Sequence, residues 1–103
     1  MISLITQKKD DVAAHCRRLN VRRLDVFGSA ARGDFDPEKS DIDFLVEFDS
    51  HGESDLFVRY FDLSNSLEAL FGRRVDLLTA RSIRKPRLKA NIEREKESVY
   101  ALP

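Results

Sequence analysis

Residues 27–48, FGSAARGDFDPEKSDIDFLVEF, combine a glycine-serine turn with a following segment of alternating character. A period of two is typical of a β-strand, whose successive side chains point to opposite faces. One predicted face carries the apolar residues Ile42, Phe44, Val46 and Phe48. The other carries Asp41, Asp43, Leu45 and Glu47. The alternation therefore predicts a strand over residues 41–48 with two carboxylates projecting side by side.

The paired carboxylates of Asp41 and Asp43 need compensation. Two unit charges about 4 Å apart repel by roughly 4 kcal/mol at an effective dielectric constant near 20. A nearby cation or a raised pKa removes this cost, and a divalent ion with oxygen ligands is the simplest remedy. The alternative is the solvated face of an edge strand. The pair alone leaves both interpretations open.

The Gly28-Ser29 turn follows the apolar run that contains Leu24, Val26 and Phe27. Glycine permits a sharp turn or a close approach of the backbone to a ligand. We expect Ser29 to provide the N-cap hydroxyl of a short helical turn over residues 30–32, whose free N–H groups would favour an anion. The dipeptide is also compatible with an ordinary turn. It is not a P-loop, because no Gly-Lys-Ser/Thr follows.

Together these motifs resemble the signature of the DNA polymerase β-like nucleotidyltransferase superfamily. GSAARGD and SDIDFLVEF are similar to its smallest branch, the minimal nucleotidyltransferase (MNT) domains, which include MntA-type antitoxins paired with HEPN toxins. The eleven residues between Ser29 and Asp41 are one more than is usual in that branch, an insertion assigned to residues 34–39. Asp76 matches the family's third acidic residue. The resemblance implies an α/β (α+β) fold with a small mixed sheet of three to four strands flanked by helices.

The resemblance also implies a site and a reaction. Asp41, Asp43 and Asp76 would be catalytic and would ligate two Mg²⁺ ions, while Gly28 and Ser29 would hold the phosphates of ATP. Two such ions stabilise the attacking and leaving oxygens of an in-line displacement. The implied reaction is transfer of AMP from ATP to a hydroxyl group, with Asp76 able to take the hydroxyl proton.

Two further residues are assigned to nucleotide binding, each with an alternative. The guanidinium of Arg32 suits a triphosphate, since it donates in a planar fork. It could equally pair with Asp34 or Asp36 and brace the loop. Ser40 could orient an oxygen of Asp41 or could simply end the turn.

Length and charge narrow the class of protein. A chain of 103 residues is expected to form one domain over residues 1–103. Its 18 basic and 18 acidic residues cancel, so stable nucleic-acid binding is not expected. The single cysteine, Cys16, excludes an internal disulfide, suits a reducing cytoplasm and is interpreted as a packed thiol. No secretory leader or membrane-spanning run is evident, which favours a cytoplasmic location.

The remaining pattern predicts the elements around the motifs. We expect helices over residues 6–19 and 55–71, the second being the main apolar contribution to the core and closed by Gly72. Strands are predicted over residues 21–27 and 73–79, and a last helix begins near Pro86 with Val99 on its apolar side. Residues 49–54 form a polar connector. The basic run from Arg81 to Lys89 is either a solvated helix face or a surface that attracts an acidic partner or the triphosphate.

The acceptor of the AMP group is expected to be a separate molecule, because little chain follows Asp76. The resemblance suggests a tyrosine of a HEPN toxin, which makes the chain an antitoxin. Two alternatives remain at this point: a module that occludes its partner without catalysis, and an enzyme acting on a small hydroxyl compound such as an aminoglycoside. Homo- or hetero-oligomers are compatible with all three.

Overall fold

The computed structural model describes residues 1–49 and 55–102, which form a four-stranded sheet with helices packed against it. The predicted connector at residues 49–54 lies, apart from Asp49, outside the described residues. Helices are α1 Ser3–Gln7, α2 Lys9–Arg18, α3 Ser29–Arg32, α4 Leu56–Phe71 and α5 Pro86–Glu95, with a 3-10 turn at Ala80–Ser82. Strands are β1 Val21–Phe27, β2 Ile42–Phe48, β3 Val75–Thr79 and β4 Glu97–Ala101.

The strand order is β3-β2-β1-β4. β2 and β3 are parallel and joined through α4, so the predicted strand-helix-strand unit is confirmed. β1 runs antiparallel to both β2 and β4. The antiparallel pairing brings the end of β1 beside the start of β2, with Phe27 opposite Asp43. The glycine-serine turn and the acidic strand are neighbours for this reason.

One continuous core lies between the sheet and the helices. It is built from alternate residues of the strands, as the period of two predicts, and from the inward faces of α2 and α4. Its fully buried members include Val12, Cys16, Leu24, Val26, Ile42, Phe44, Leu63 and Leu67. Burial raises the pKa of the Cys16 thiol to about 12, against the opposing charge of Arg17. The interpretation of Cys16 as a packed thiol is therefore confirmed.

Only the second half of α4 fills this core. Leu63, Leu67 and Phe71 are buried, whereas Phe57 is 68% exposed and Phe61 is 47% exposed. The prediction that the whole apolar stripe of this helix packs inward is wrong for its first two turns. Helical periodicity identifies the apolar face of a helix, but it does not indicate how much of that face the sheet covers. Asp55 caps the helix by accepting from the Phe57 N–H, and Gly72 closes it in the left-handed conformation, as predicted.

Arg59 is a charged residue on the buried side of this helix and is only 4% exposed. Its guanidinium donates to the carbonyl oxygens of Leu19, Asn20 and Asp49 at 3.2–3.3 Å. It also lies 5.3 Å from the centre of the Phe48 ring. One arginine thus ties the turn before β1 to the end of β2.

The two ends of the chain differ from expectation. The first predicted helix is divided by Lys8 into α1 and α2, and Asn20 follows α2 with a φ of 54°, as a stop should. Pro86 begins α5 as predicted, but Val99 lies in β4, which pairs with β1, and not on a helix. None of the helices in the described ranges has the length and apolar character that a membrane crossing requires.

Candidate active site

Two of the three predicted aspartates meet across neighbouring strands. In the parallel register of β2 and β3, Asp43 lies opposite Asp76. Paired residues of adjacent strands point to the same face, and a side-chain hydrogen bond to Asp76 is one of the causes that raise the pKa of Asp43. Such a bond requires one of them to hold a proton. Asp41 lies two residues before Asp43 and acts on it through its charge. The predicted shared face of Asp43 and Asp76 is confirmed.

The environment of Asp43 disfavours its ionised form. Burial contributes most, followed by the charge of Asp76, the hydrogen bond to that residue and the charge of Asp41. Together they raise the pKa of the Asp43 carboxyl to about 6, although the positive charge of Arg32 opposes the shift. Repulsion between neighbouring carboxylates is therefore concentrated at this point of the sheet, where a bound cation would relieve it.

The raised pKa of Asp43 predicts a pH-dependent stability. The folded pKa of about 6 lies above the unfolded value of 3.8, so the folded state binds more protons between these values. The stabilisation from protonated Asp43 is complete below the unfolded value and is lost as the pH rises through the folded value. We therefore expect the melting temperature of the metal-free chain to fall as the pH rises toward 7. The Asp43→Asn variant should not show this fall. Thermal melts in EDTA, with both chains at matched pH from 4 to 7, measure the difference. Equal slopes would refute the carboxylate pair as its source.

Gly28 lies against the same carboxylate. A Cβ atom at this position would be 2.5 Å from Asp43 Oδ2, and the backbone has a φ of 69° and a ψ of −150°. Both features require glycine. Gly28, and not Ser29, occupies the N-cap position of α3, so the predicted capping by the Ser29 hydroxyl is wrong. Because the turn begins one residue earlier than predicted, Ser29 is the first residue of the helix.

We expect Gly28→Ala to lower stability by about 2–3 kcal/mol, because it combines a strained backbone with a displaced carboxylate. Gly72→Ala is the matched control: its φ is 66°, but nothing lies within 4 Å of the added carbon. Urea denaturation of both variants measures how far the contact with Asp43 and the ψ of −150° at Gly28 add to the cost of a positive φ. A Gly28→Ala variant no less stable than Gly72→Ala would show that the contact with Asp43 is not restrictive.

Arg32 bridges two acidic side chains beside this turn. Its guanidinium lies 3.1 Å from Glu95 and 3.3 Å from Asp34. Of the two alternatives from the sequence, the structure places Arg32 in the bracing arrangement with Asp34, while its charge also reaches Asp43. Glu95 was not predicted. It lies 63 residues away along the chain and approaches only because α5 ends beside α3.

Ser40 ends the loop and does not orient Asp41. Its hydroxyl accepts from the Asp36 N–H at 3.0 Å, and its own N–H donates to the Asp36 carbonyl at 2.8 Å. Arg73 holds the loop from the other side by donating to Pro37 O at 2.9 Å, and its guanidinium lies 4.7 Å from the centre of the Phe35 ring. The longer loop is therefore held by hydrogen bonds between Asp36 and Ser40 and by the side chain of Arg73.

The donor set suits Mg²⁺ in its chemistry, although it is not a complete cluster. Within residues 1–49 and 55–102, no three acidic, histidine or cysteine side chains are gathered closely enough to form a ready metal site. Asp43 and Asp76 form a close pair, and Asp41 adds a third carboxylate two residues away. Oxygen-only donors and unrelieved negative charge are what a hard divalent cation requires. The residues therefore fit such an ion.

Known proteins are similar to this chain in sequence. A family model described as the nucleotidyltransferase domain matches residues 9–99. A candidate protein adenylyltransferase of Methanocaldococcus jannaschii is 41% identical over 78 residues, which are 76% of either chain. Protein adenylyltransferase MntA of Thermococcus cleftensis is 38% identical over 82 residues, 80% of this chain and 76% of that protein.

Solved structures agree in fold. One described as a candidate minimal nucleotidyltransferase has a TM-score of 0.73 and 36% identity, with 89% of each chain covered. Another contains a tri-AMPylated Shewanella oneidensis HEPN toxin in complex with an MNT antitoxin. It has a TM-score of 0.63 and 17% identity and covers 95% of this chain and 73% of that one, which establishes similarity of fold alone.

Proposed function

Because this chain belongs to the nucleotidyltransferase domain family, we propose that it transfers AMP from ATP to a hydroxyl group of a partner protein, and so acts as an antitoxin. The observation that carries the proposal is the pairing of Asp43 with Asp76 directly beside Gly28. The partner is a HEPN-type toxin and the acceptor is a tyrosine. Relatives named as protein adenylyltransferases support the reaction, and the complex of an MNT antitoxin with an AMPylated HEPN toxin supports the partner.

The chemistry is an in-line displacement at the α-phosphorus of ATP. The acceptor oxygen forms a bond to phosphorus, the bond to the bridging oxygen breaks, and pyrophosphate leaves. Asp76 accepts the hydroxyl proton, since it is the exposed member of the pair and faces the incoming molecule. Asp41, Asp43 and Asp76 would hold Mg²⁺, which when bound supplies charge neutralisation for the attacking and leaving oxygens.

The turn after β1 positions the nucleotide. The backbone of Gly28 lies against the Asp43 carboxylate, so a phosphate held at this turn would be next to the residues that would hold Mg²⁺. The Ser29 hydroxyl makes no hydrogen bond within the described residues. Gly28 and Ser29 therefore bind the β- and γ-phosphates. Arg32 exchanges its pairing with Asp34 or Glu95 for the triphosphate, because a phosphate accepts from a guanidinium at least as strongly as a carboxylate.

Mass spectrometry of the partner tests this function. The chain is incubated with ATP, Mg²⁺ and a HEPN-type toxin, and the intact mass of that toxin is measured. We expect it to increase by one or more AMP groups, located on tyrosine by fragmentation. No increase, or an increase only in the absence of this chain, would refute protein adenylylation.

A further inference from the structure

We propose that the groove between the start of α4 and β3 is the surface on which the acceptor protein docks, through a segment with an apolar face and an acidic flank. The inference rests on the proposed function, since it concerns the partner of that reaction. The groove has a volume of about 430 Å³ and is distinct from the paired aspartates. It is lined by Phe48, Leu56, Phe57, Tyr60, Phe61, Leu77, Leu78, Thr79 and Ser82.

The walls of the groove are unusually apolar for an exposed surface. Leu56 is 53% exposed, Phe57 is 68% exposed and Phe61 is 47% exposed, all within two turns of one helix. Isolated exposed apolar residues are common, but contiguous ones mark sites of interaction. Aromatic side chains at the centre of an interface often supply most of its binding energy.

The aromatic side chains are already held in place. The rings of Phe57 and Phe61 are 4.7 Å apart, and the ring of Tyr60 meets that of Phe61 edge-on at 5.3 Å. The Tyr60 hydroxyl donates to the Leu77 carbonyl at 2.5 Å, which fixes the floor of the groove to β3. Little side-chain entropy would therefore be lost when a partner binds.

Charge identifies the kind of occupant. The 3-10 turn at Ala80–Ser82, which contributes Ser82 to the groove, contains Arg81 and is followed by Arg84 and Lys85. These three basic side chains are exposed and form no ion pair within the described parts of the chain. An acidic flank on the partner would pair with them. A symmetric dimer through this groove would bring two such basic rims together, which disfavours a second copy. Residues 50–54, SHGES, contain no apolar side chain that could fill it.

The groove adjoins the candidate site along one strand. Asp76 and the lining residues Leu77, Leu78 and Thr79 are consecutive in β3, which is an edge of the sheet. At about 3.3 Å per residue, Thr79 is roughly 10 Å from Asp76 along the strand. Side chains alternate along β3, so the Asp76 carboxylate projects from the face opposite to the buried Leu77. Because β3 is an edge strand, a protein seated in the groove can reach Asp76 around that edge.

Binding is tested separately from catalysis by measuring it on an Asp43→Asn chain, which is expected not to modify the partner. Isothermal titration with the same HEPN-type toxin gives the dissociation constant. Adding Phe57→Asp and Phe61→Asp is expected to weaken binding by at least about 30-fold. Adding Arg81→Glu and Arg84→Glu is expected to weaken it by about tenfold at low salt, with a smaller effect at high salt.

Matched controls replace residues of the same kinds elsewhere. Leu88 on α5 is 43% exposed, and Leu88→Asp should bind like the parent. Arg17 on α2 is also exposed, and Arg17→Glu is the control for the change at Arg81 and Arg84. It should bind like the parent. Melting temperatures confirm that each chain is folded, which is expected because every side chain substituted in addition to Asp43 is exposed.

Each outcome decides the proposal. Binding within threefold of the parent after both phenylalanine changes overturns it, as does equal weakening by Leu88→Asp or no binding by the parent. A parent that dimerises through the groove, or that binds single-stranded RNA there in place of the protein, also overturns it. Groove-dependent binding without AMP transfer by the unmodified chain would support the docking surface while refuting the proposed reaction.

Discussion

Replacement of both Asp41 and Asp43 by Asn is expected to lower the rate of AMP transfer by at least about a thousandfold, because metal-assisted charge stabilisation supplies several kcal/mol. Asn keeps the size of each side chain but removes the negative charge that attracts the ion. Burial, followed by the charges of Asp76 and Asp41, raises the pKa of Asp43, so removal of its charge should not weaken the fold. The measurement is the single-turnover rate of AMP incorporation into the partner, with folding checked by thermal melting.

Glu47→Gln is the matched control, since Glu47 alternates with the two aspartates on the same face of β2 but lies near its far end. It should transfer AMP at the normal rate. The same double variant separates catalysis from occlusion. If it binds the toxin and still neutralises it, the chain acts by covering its partner, and the carboxylate site is not needed.

Arg59→Met is expected to lower the free energy of unfolding by about 3 kcal/mol, the largest loss of stability foreseen for a single charged side chain. Methionine retains the apolar stem of the side chain but removes the guanidinium that donates to the carbonyls of Leu19, Asn20 and Asp49. Each of these hydrogen bonds from a charged donor contributes about 1 kcal/mol or more. Urea denaturation measures the loss.

Arg18→Met is the comparison for this change. The Arg18 guanidinium lies 3.0 Å from Asp62, but both side chains are exposed, so the substitution should cost less than about 1 kcal/mol. An Arg59 variant that loses no more than the Arg18 variant would mean that water replaces the buried donor.

Local signals in the sequence determined a large part of the fold. Alternation from Ile42 to Phe48 specified a strand with one buried face, because the pleat itself imposes the period. Gly72 specified the end of α4 and Pro86 the start of α5, because each residue restricts its own backbone. The spacing of Gly28-Ser29 and Asp41-x-Asp43 was sufficient to indicate the family and the reaction class.

Other features depended on contacts between distant segments. The division of the first helix at Lys8, the strand β4 and the exposure of Phe57 are decided by where the sheet lies, which no local period encodes. The burial of Arg59 depends on carbonyls supplied by two separate turns. In each case, the free energy of residues far apart in sequence outweighs the local preference.

Some features of the candidate site were likewise predictable from the sequence, and others depended on the tertiary structure. The sequence by itself indicated the candidate carboxylates, because the spacing of Asp41 and Asp43 is local and Asp76 follows in a predicted strand. Only the tertiary structure decided that Asp43 lies opposite Asp76, that Gly28 and not Ser29 precedes the first turn of α3, and that Glu95 reaches Arg32. Strand register and helix docking set these distances, and both arise from long-range packing that a single residue's neighbours along the chain do not fix.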